Sequence, residues 1–424
     1  MNVLFISPAF PDRIKEYLIL PSLEACVMSS ILKEHGHQVD MLDMKIHGYN
    51  VEQAIAALPK SLPQLICIED ELSTHCTTLK LVERLKEVWE DVKIAVRGEV
   101  ATFVPQELLR RNPLVDFAVR FDDDYALLKI IEAMEQKRTF ASIGNIAYRS
   151  PEGGIVVNDR EQRTYQLDSL PMPDRKLYDI DLYLKRDSET IVRSSRGCPG
   201  NCLFCSKTKM AQFGVFSPVR FCDELEELKS FGFQSFFFSD DTFAFSDQRL
   251  KAFYDEVVKR KLDIRWTSNL RIKDINDEKI RRMKEIGAYR VFVGIETINA
   301  SVSNTIRKNL AADEIKRKTD ILHKYGMEFH ASFILGNPGD TEEDLQKTIE
   351  FVKDINPTLV TFNLIRLIPG LEMYNQREQY GYILEDPYWY EKDEWSRRVI
   401  AGTKELPPAV LEKWSRRMLM EFIK

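Results

Sequence analysis

The sequence has no run of about 20 apolar residues, the length needed to cross a bilayer as a helix, and no basic segment leading into an apolar stretch at its start. Met1-Asn2-Val3-Leu4-Phe5-Ile6 reads instead as the first strand of a fold. The expectation is a cytoplasmic protein without membrane insertion. Long runs of one charge are also missing. With 60 basic against 66 acidic side chains the formal charge is -6, so nucleic acid is not an expected partner. Cysteine is scarce and odd in number: seven, at 26, 67, 76, 198, 202, 205 and 222. Three are crowded together and four scattered, which argues against a secreted disulfide framework.

The 424 residues are many for one compact core, and the pattern divides them. Over residues 1–138, apolar runs at Val3–Ile6, Val39–Leu42, Leu65–Ile68, Val92–Val96 and Phe117–Val119 alternate with helical faces such as Leu23/Val27/Ile31 and Leu79/Val82/Leu85. Continuously apolar strands between amphipathic helices predict an α/β, Rossmann-like doubly wound sheet, whose ligands sit beyond the carboxyl ends of the strands. Ser22 is placed to open the first helix and Gly36 to stop it, while Asn50 and Gln53 are in capping-box register.

Residues 139–190 read as a connector. It holds a hairpin, Ile143–Arg149 with Ile155–Val157 around Gly153-Gly154, and then extended chain rich in Pro and Asp. Residues 191–370 repeat strand and helix, with strands expected at Ile191–Ser194, Ser235–Ser239, Leu262–Trp266, Tyr289–Val293, Glu328–Ile334 and Leu359–Phe362. Six such units predict a partial (β/α)6 barrel open on one side. Residues 371–424 bring Tyr380, Tyr382, Tyr388, Trp389, Tyr390 and Trp395, then a helix with Leu411, Trp414 and Met418, read as a C-terminal helical cap with packing aromatics.

Cys198, Cys202 and Cys205 lie in "SRGCPGNCLFCS", just after the first barrel strand. Thiolates are soft anionic donors that select iron–sulfur or zinc sites. Zinc would need a fourth ligand, and neither Cys222 nor a histidine is near in sequence. A four-iron cube on three thiolates keeps one iron open.

The CxxxCxxC spacing, with its Gly-Cys-Pro start and the aromatic Phe204, resembles the signature of the radical SAM superfamily. That resemblance implies a [4Fe-4S] cluster on Cys198, Cys202 and Cys205, with Phe204 beside it, and S-adenosylmethionine (SAM) chelated to the open iron. It further implies reductive cleavage of SAM to a 5'-deoxyadenosyl radical that acts on a small-molecule substrate. Oxygen sensitivity and an external electron donor such as flavodoxin or ferredoxin follow. Four strand-end segments resemble the family's SAM-binding turns. "FFFSDDTF" offers Ser239 and Asp240 to the methionine end, with Asp240 or Asp241 near substrate. "WTSNLR" offers Ser268, Asn269 and Arg271, the last as a planar fork for a carboxylate. "VFVGIETI" offers Glu296, and "SFILGNPGDTEEDL" offers Gly336 and Gly339 beside adenine, with Thr341 and Asp344 capping the following helix.

Residues 1–138 are similar to the cobalamin-binding domain that precedes many radical SAM barrels, which implies methyl transfer through a corrin. Several positions depart from that family's small residues: Glu24, Cys67, Glu69, Arg97 and Phe121-Asp122-Asp123-Asp124 add side chains where backbone approach to the ring depends on having none. His75 lies outside the motif that supplies an axial histidine. A working corrin site and a domain that has lost its ligand therefore both stand, the second leaving cyclisation, oxidation or rearrangement. Methylthiotransfer would need a second cluster, for which Cys26, Cys67 and Cys76 are poorly placed. A redox or sensory iron–sulfur protein is the non-enzymatic alternative.

Overall fold

A computed structural model describes residues 1–10, 19–59, 61–186, 189–392 and 399–422; Trp395 lies outside these. The chain forms two compact units, the first mainly Met1–Thr190 and the second mainly Ile191–Lys424, with a short stretch beginning at Tyr390 grouped with the first.

In the first unit, β1 (Asn2–Ser7), β2 (Gln38–Asp43), β3 (Leu65–Asp70), β4 (Lys93–Gly98) and β5 (Phe117–Val119) pair in parallel in the order β2-β1-β3-β4-β5. This is a doubly wound order whose reversal point falls at the ends of β1 and β3. Apolar runs make the strands because both faces are covered: every residue of β1 after Asn2 is buried. Ser22 caps the helix Leu23–Glu34 by accepting from the Ala25 N–H at 3.0 Å, and Asn50 with Gln53 closes the expected capping box. The hairpin expected in the connector is part of this sheet. β6 (Ile146–Arg149) pairs antiparallel with β5, and β7 (Ile155–Val157) with β6. Its buried Ile146, Ala147 and Tyr148 give it a reason to dock.

The second unit begins with β8 (Thr190–Val192) and a two-residue ribbon, β9 (Ser195–Arg196) against β10 (Gly214–Val215), which closes the base of the cysteine loop. Then come β11 (Ser235–Phe238), β12 (Arg265–Arg271), β13 (Ala288–Glu296), β14 (Glu328–Leu335) and β15 (Leu359–Leu364), in sequential order from β8 at one edge to β15 at the other. Strands β11 to β15 are parallel. β12 starts at Arg265 rather than Leu262 and extends through Asn269 and Arg271. Its anchor is Trp266, fully buried, stacked on Phe238 at 4.4 Å and donating its indole N–H to the Ile286 carbonyl at 2.7 Å.

The terminal helix Pro408–Phe422 covers β15. Leu411, Trp414 and Met418 pack with Leu335, Leu345 and Ile349, each such side chain stabilising by about 1.5–3 kcal/mol when taken from water.

Candidate active site

The site is assembled by strand register. Across the second sheet Asn269 of β12, Phe292 of β13 and His330 of β14 lie side by side in one row. Arg271, Gly294, Ser332 and Thr361 of β15 form the next row. All seven line one cavity of about 630 Å³, together with Cys198, Cys202, Phe204, Cys205, Asp241, Glu296 and Lys308, and that volume is within the range of small-molecule sites.

The cysteine loop reaches the cavity because it is pinned at both ends and in the middle. The β9–β10 ribbon holds its base, and the Leu203 N–H donates to the Ile306 carbonyl at 3.1 Å while the Leu203 side chain packs with Ile306, Ile365 and Leu367. Cys198, Cys202 and Cys205 are half-buried free thiols, unlike Cys26, Cys67, Cys76 and Cys222, which are buried. The Gly200 N–H donates to Cys198 Sγ at 3.3 Å. Burial pushes the Cys205 thiol up to about 11, so a cation must lie against it for the thiolate to form near neutral pH. Among the described residues no three His, Cys, Asp or Glu side chains are close enough to hold a single metal ion. Three half-buried thiols of one loop facing the cavity are a donor set that a polynuclear iron–sulfur cluster takes.

Glu296 owes its position to a bulge. Between Gly294 and Glu296 the register to β14 slips by one residue, a distortion that re-aims side chains, and Glu296 sits at φ +72°, a left-handed conformation costing a non-glycine residue about 1–2 kcal/mol. Its carboxylate is held by Lys308 Nζ at 3.1 Å. Burial works against the Lys308 charge, yet Glu296 and then Cys202 leave its pKa raised. A Cβ on Gly294 would overlap Glu296 Oε1 and come within 3.1 Å of Lys308 Nζ, so a side chain there would push the Glu296 carboxylate from its place beside Lys308.

Of the residues expected from sequence, the cavity brings together Cys198, Cys202, Cys205, Phe204, Asp241, Asn269, Arg271 and Glu296. Arg271 is already engaged by Asp274, with hydrogen bonds of 2.7 and 2.9 Å, so part of its fork is taken. Asp240, Ser239, Ser268, Gly336 and Gly339 do not line the cavity. Asp240 is fully buried and accepts from the Ser194 N–H at 3.0 Å, from Ser194 Oγ at 2.7 Å and from Ser195 Oγ, which fastens the segment leading to the cysteines. Ser239 donates to the Val192 carbonyl at 3.2 Å, and the buried Ser268 hydroxyl has no partner among the described residues. Gly336, at φ +90°, faces Leu411 of the terminal helix. Sequence reasoning missed Gly294, Phe292, His330, Ser332, Thr361 and Lys308. A signal was available for two of them: His330 and Ser332 continue, after Glu328, an alternation of polar and apolar residues along the strand.

At the ligand edge of the first sheet, Ser22 Oγ donates to Glu69, and Arg97 Nη1 donates to Glu69 Oε1 at 3.1 Å. Burial, set against Arg97, raises the Glu69 carboxyl pKa. His75 is fully buried with Nδ1 2.7 Å from Asp70 Oδ2, and its Nε2 has no hydrogen-bond partner among the described residues. Among the described residues this edge presents a hydrogen-bonded charged cluster, Ser22, Glu69 and Arg97, in place of the small side chains expected beside a corrin.

The radical SAM superfamily profile matches residues 192–352, and that of the B12 binding domain matches residues 14–131. An uncharacterized methyltransferase from Pyrococcus horikoshii is 27% identical over 88% of this chain and 82% of its own length. An anaerobic magnesium-protoporphyrin IX monomethyl ester cyclase from Rubrivivax gelatinosus is 26% identical over 89% of this chain and 70% of its own length. Among solved structures, the radical SAM methyltransferase TsrM from Kitasatospora setae, with cobalamin and a [4Fe-4S] cluster bound, superposes with a TM-score of 0.80 at 16% identity, covering 100% of this chain and 89% of that one. That likeness establishes the fold.

Proposed function

Because the chain belongs to the radical SAM superfamily and carries a B12-binding-type domain ahead of its barrel, we propose that it modifies an unactivated carbon of a small metabolite or natural-product intermediate by way of a SAM-derived radical. The observation that carries the reading is three half-buried thiols lining the same cavity as polar groups from the strand ends. Cys198, Cys202 and Cys205 would hold the [4Fe-4S] cluster. Bound there, it would supply one electron to SAM and so release methionine and a 5'-deoxyadenosyl radical able to take hydrogen from carbon.

The chain's own part is to bind, orient and exclude water. Glu296, fixed by Lys308, and Asn269 present acceptors and donors to the amino and ribose groups of SAM, and Arg271 retains N–H groups for its carboxylate. Phe204 walls the cluster from solvent, and Asp241 stands where the substrate enters. Asp240, Ser239 and Ser268 position these groups from behind, while Gly336 and Gly339 shape the turn after β14. An external one-electron donor such as flavodoxin or ferredoxin completes the cycle, in the cytoplasm; no helix among the described residues is long and apolar enough to cross a membrane.

Corrin-dependent methylation is the second reading, favoured by the B12-binding match and the methyltransferase relatives. Anaerobic reconstitution with and without hydroxocobalamin, followed by desalting, an absorption spectrum and assay for 5'-deoxyadenosine, tests both. We expect 5'-deoxyadenosine under strong reductant whether or not corrin is supplied. Its absence overturns the radical reading, and a retained corrin favours the second one.

A further inference from the structure

We propose that the wall made by Phe292, His330, Ser332 and Thr361 is the substrate subsite, and that it takes an uncharged planar ring bearing a hydroxyl or N–H group. The proposal rests on the reading above, since it gives SAM the opposite, charged end of the same cavity.

The formal charges of the cavity are unevenly spread. Cys198, Cys202, Cys205 and Lys207 lie in and just after the cysteine loop, Asp241 follows β11, and Arg271 and Lys273 stand at the end of β12. Glu296 ends β13, and Arg307 and Lys308 follow the helix Ala300–Thr305; among the described residues no charged lining residue lies on β14 or β15. The four residues on β13, β14 and β15 carry no formal charge when His330 is neutral. Burial and then Arg290 lower the His330 pKa, which keeps the imidazole neutral. Arg290 itself stands one row further back, paired with Glu328 at 2.6 Å. A carboxylate or phosphate set against this wall would lose hydration without gaining a counter-charge.

The same wall has a flat apolar face and free hydrogen-bonding capacity. The half-buried Phe292 ring meets Phe237 edge-on at 5.8 Å and His330 at 5.3 Å, which leaves an aromatic surface for offset stacking. His330 Nε2 is 3.1 Å from Thr361 Oγ1, which orients the ring, and Nδ1 has no partner among the described residues. Ser332 Oγ accepts from Asn363 Nδ2 at 2.9 Å, so its own proton remains to be donated. A ring with one polar substituent satisfies both requirements at once.

The test uses the reconstituted protein with SAM bound, and two probes on the same ring system, 2-naphthol and 2-naphthoate, titrated by ligand-observed NMR. Naphthol should bind at least about tenfold more tightly than naphthoate. His330→Ala should weaken naphthol about fivefold or more, as expected for one lost hydrogen bond of about 1 kcal/mol, and His330→Gln should restore part of the loss. Ser332→Ala, a smaller change, should weaken it too. Equal or tighter binding of naphthoate, or naphthol binding indifferent to both substitutions, would overturn the proposal. Formation of 5'-deoxyadenosine by the unaltered protein is measured separately, so failure of the radical reading is distinguishable from failure of the subsite.

Discussion

Replacing Asp340 by Asn should flatten the pH dependence of stability in a calculable way. Asp340 is 2% exposed, in the loop after β14. Its Oδ2 accepts from the Asn337 backbone N–H at 2.8 Å and from Asn337 Nδ2 at 3.1 Å. Burial pushes the carboxyl up to about 7, against the hydrogen bonds from Asn337 and with some help from Asp344. The folded chain therefore binds more protons than the unfolded chain between pH of about 4 and about 7. Stability from this group is fully present below the lower value and is lost as pH rises through the upper one. A shift of about three units at about 1.4 kcal/mol each amounts to about 4 kcal/mol, a large part of the roughly 5–15 kcal/mol that holds a domain folded. Asn presents the same acceptor geometry without a proton to lose. Urea unfolding of both proteins at several pH values, followed by tryptophan fluorescence, should show the unaltered protein losing about 4 kcal/mol relative to Asp340→Asn between about pH 4 and about pH 8. Parallel curves, or a relative gain on raising the pH, would refute the reasoning.

Four further substitutions bear on the two units. Cys202→Ala should lower iron content on reconstitution and abolish 5'-deoxyadenosine, measured by chromatography of quenched reactions, whereas Cys222→Ser, at a buried position away from the cavity, should leave the iron content unchanged. Gly294→Ala drives a methyl into the Glu296 carboxylate and toward Lys308, so SAM affinity measured by equilibrium dialysis should fall about tenfold or more, the cost of disturbing one charged hydrogen-bonded group. Gly98→Ala would place a Cβ onto the Asp70 carbonyl at φ +129°, and the first unit should lose about 2–4 kcal/mol, read as an earlier urea transition.

The parts of this account that sequence made legible are those carried by local pattern. Continuous apolar runs marked the strands, Ser22, Asn50 and Thr341 marked helix starts that the structure realises, and the cysteine spacing marked the loop. What sequence did not show depends on register between strands far apart in the chain. His330 and Thr361 become neighbours only because β14 and β15 pair in one frame, and Ser332 faces the cavity because it shares a row with Gly294 and Arg271. The bulge that turns Glu296 inward has no local signature beyond a glycine two residues earlier. Asp240 and Asp241 are adjacent and chemically alike, yet one is buried among serine hydroxyls and the other lines the cavity; no one-dimensional pattern separates them. The hairpin of β6 and β7 read as a connector because docking onto β5 is a property of the sheet edge, not of the hairpin.

The most direct test of the central claim, a four-iron cluster on three thiolates with one iron left for the cofactor, is the electron paramagnetic resonance spectrum of the reduced protein recorded with and without SAM. The account predicts a cluster signal that changes when SAM is added, because the cofactor joins the open iron. Superimposable spectra would mean that a fourth ligand already closes the cluster, and would contradict it.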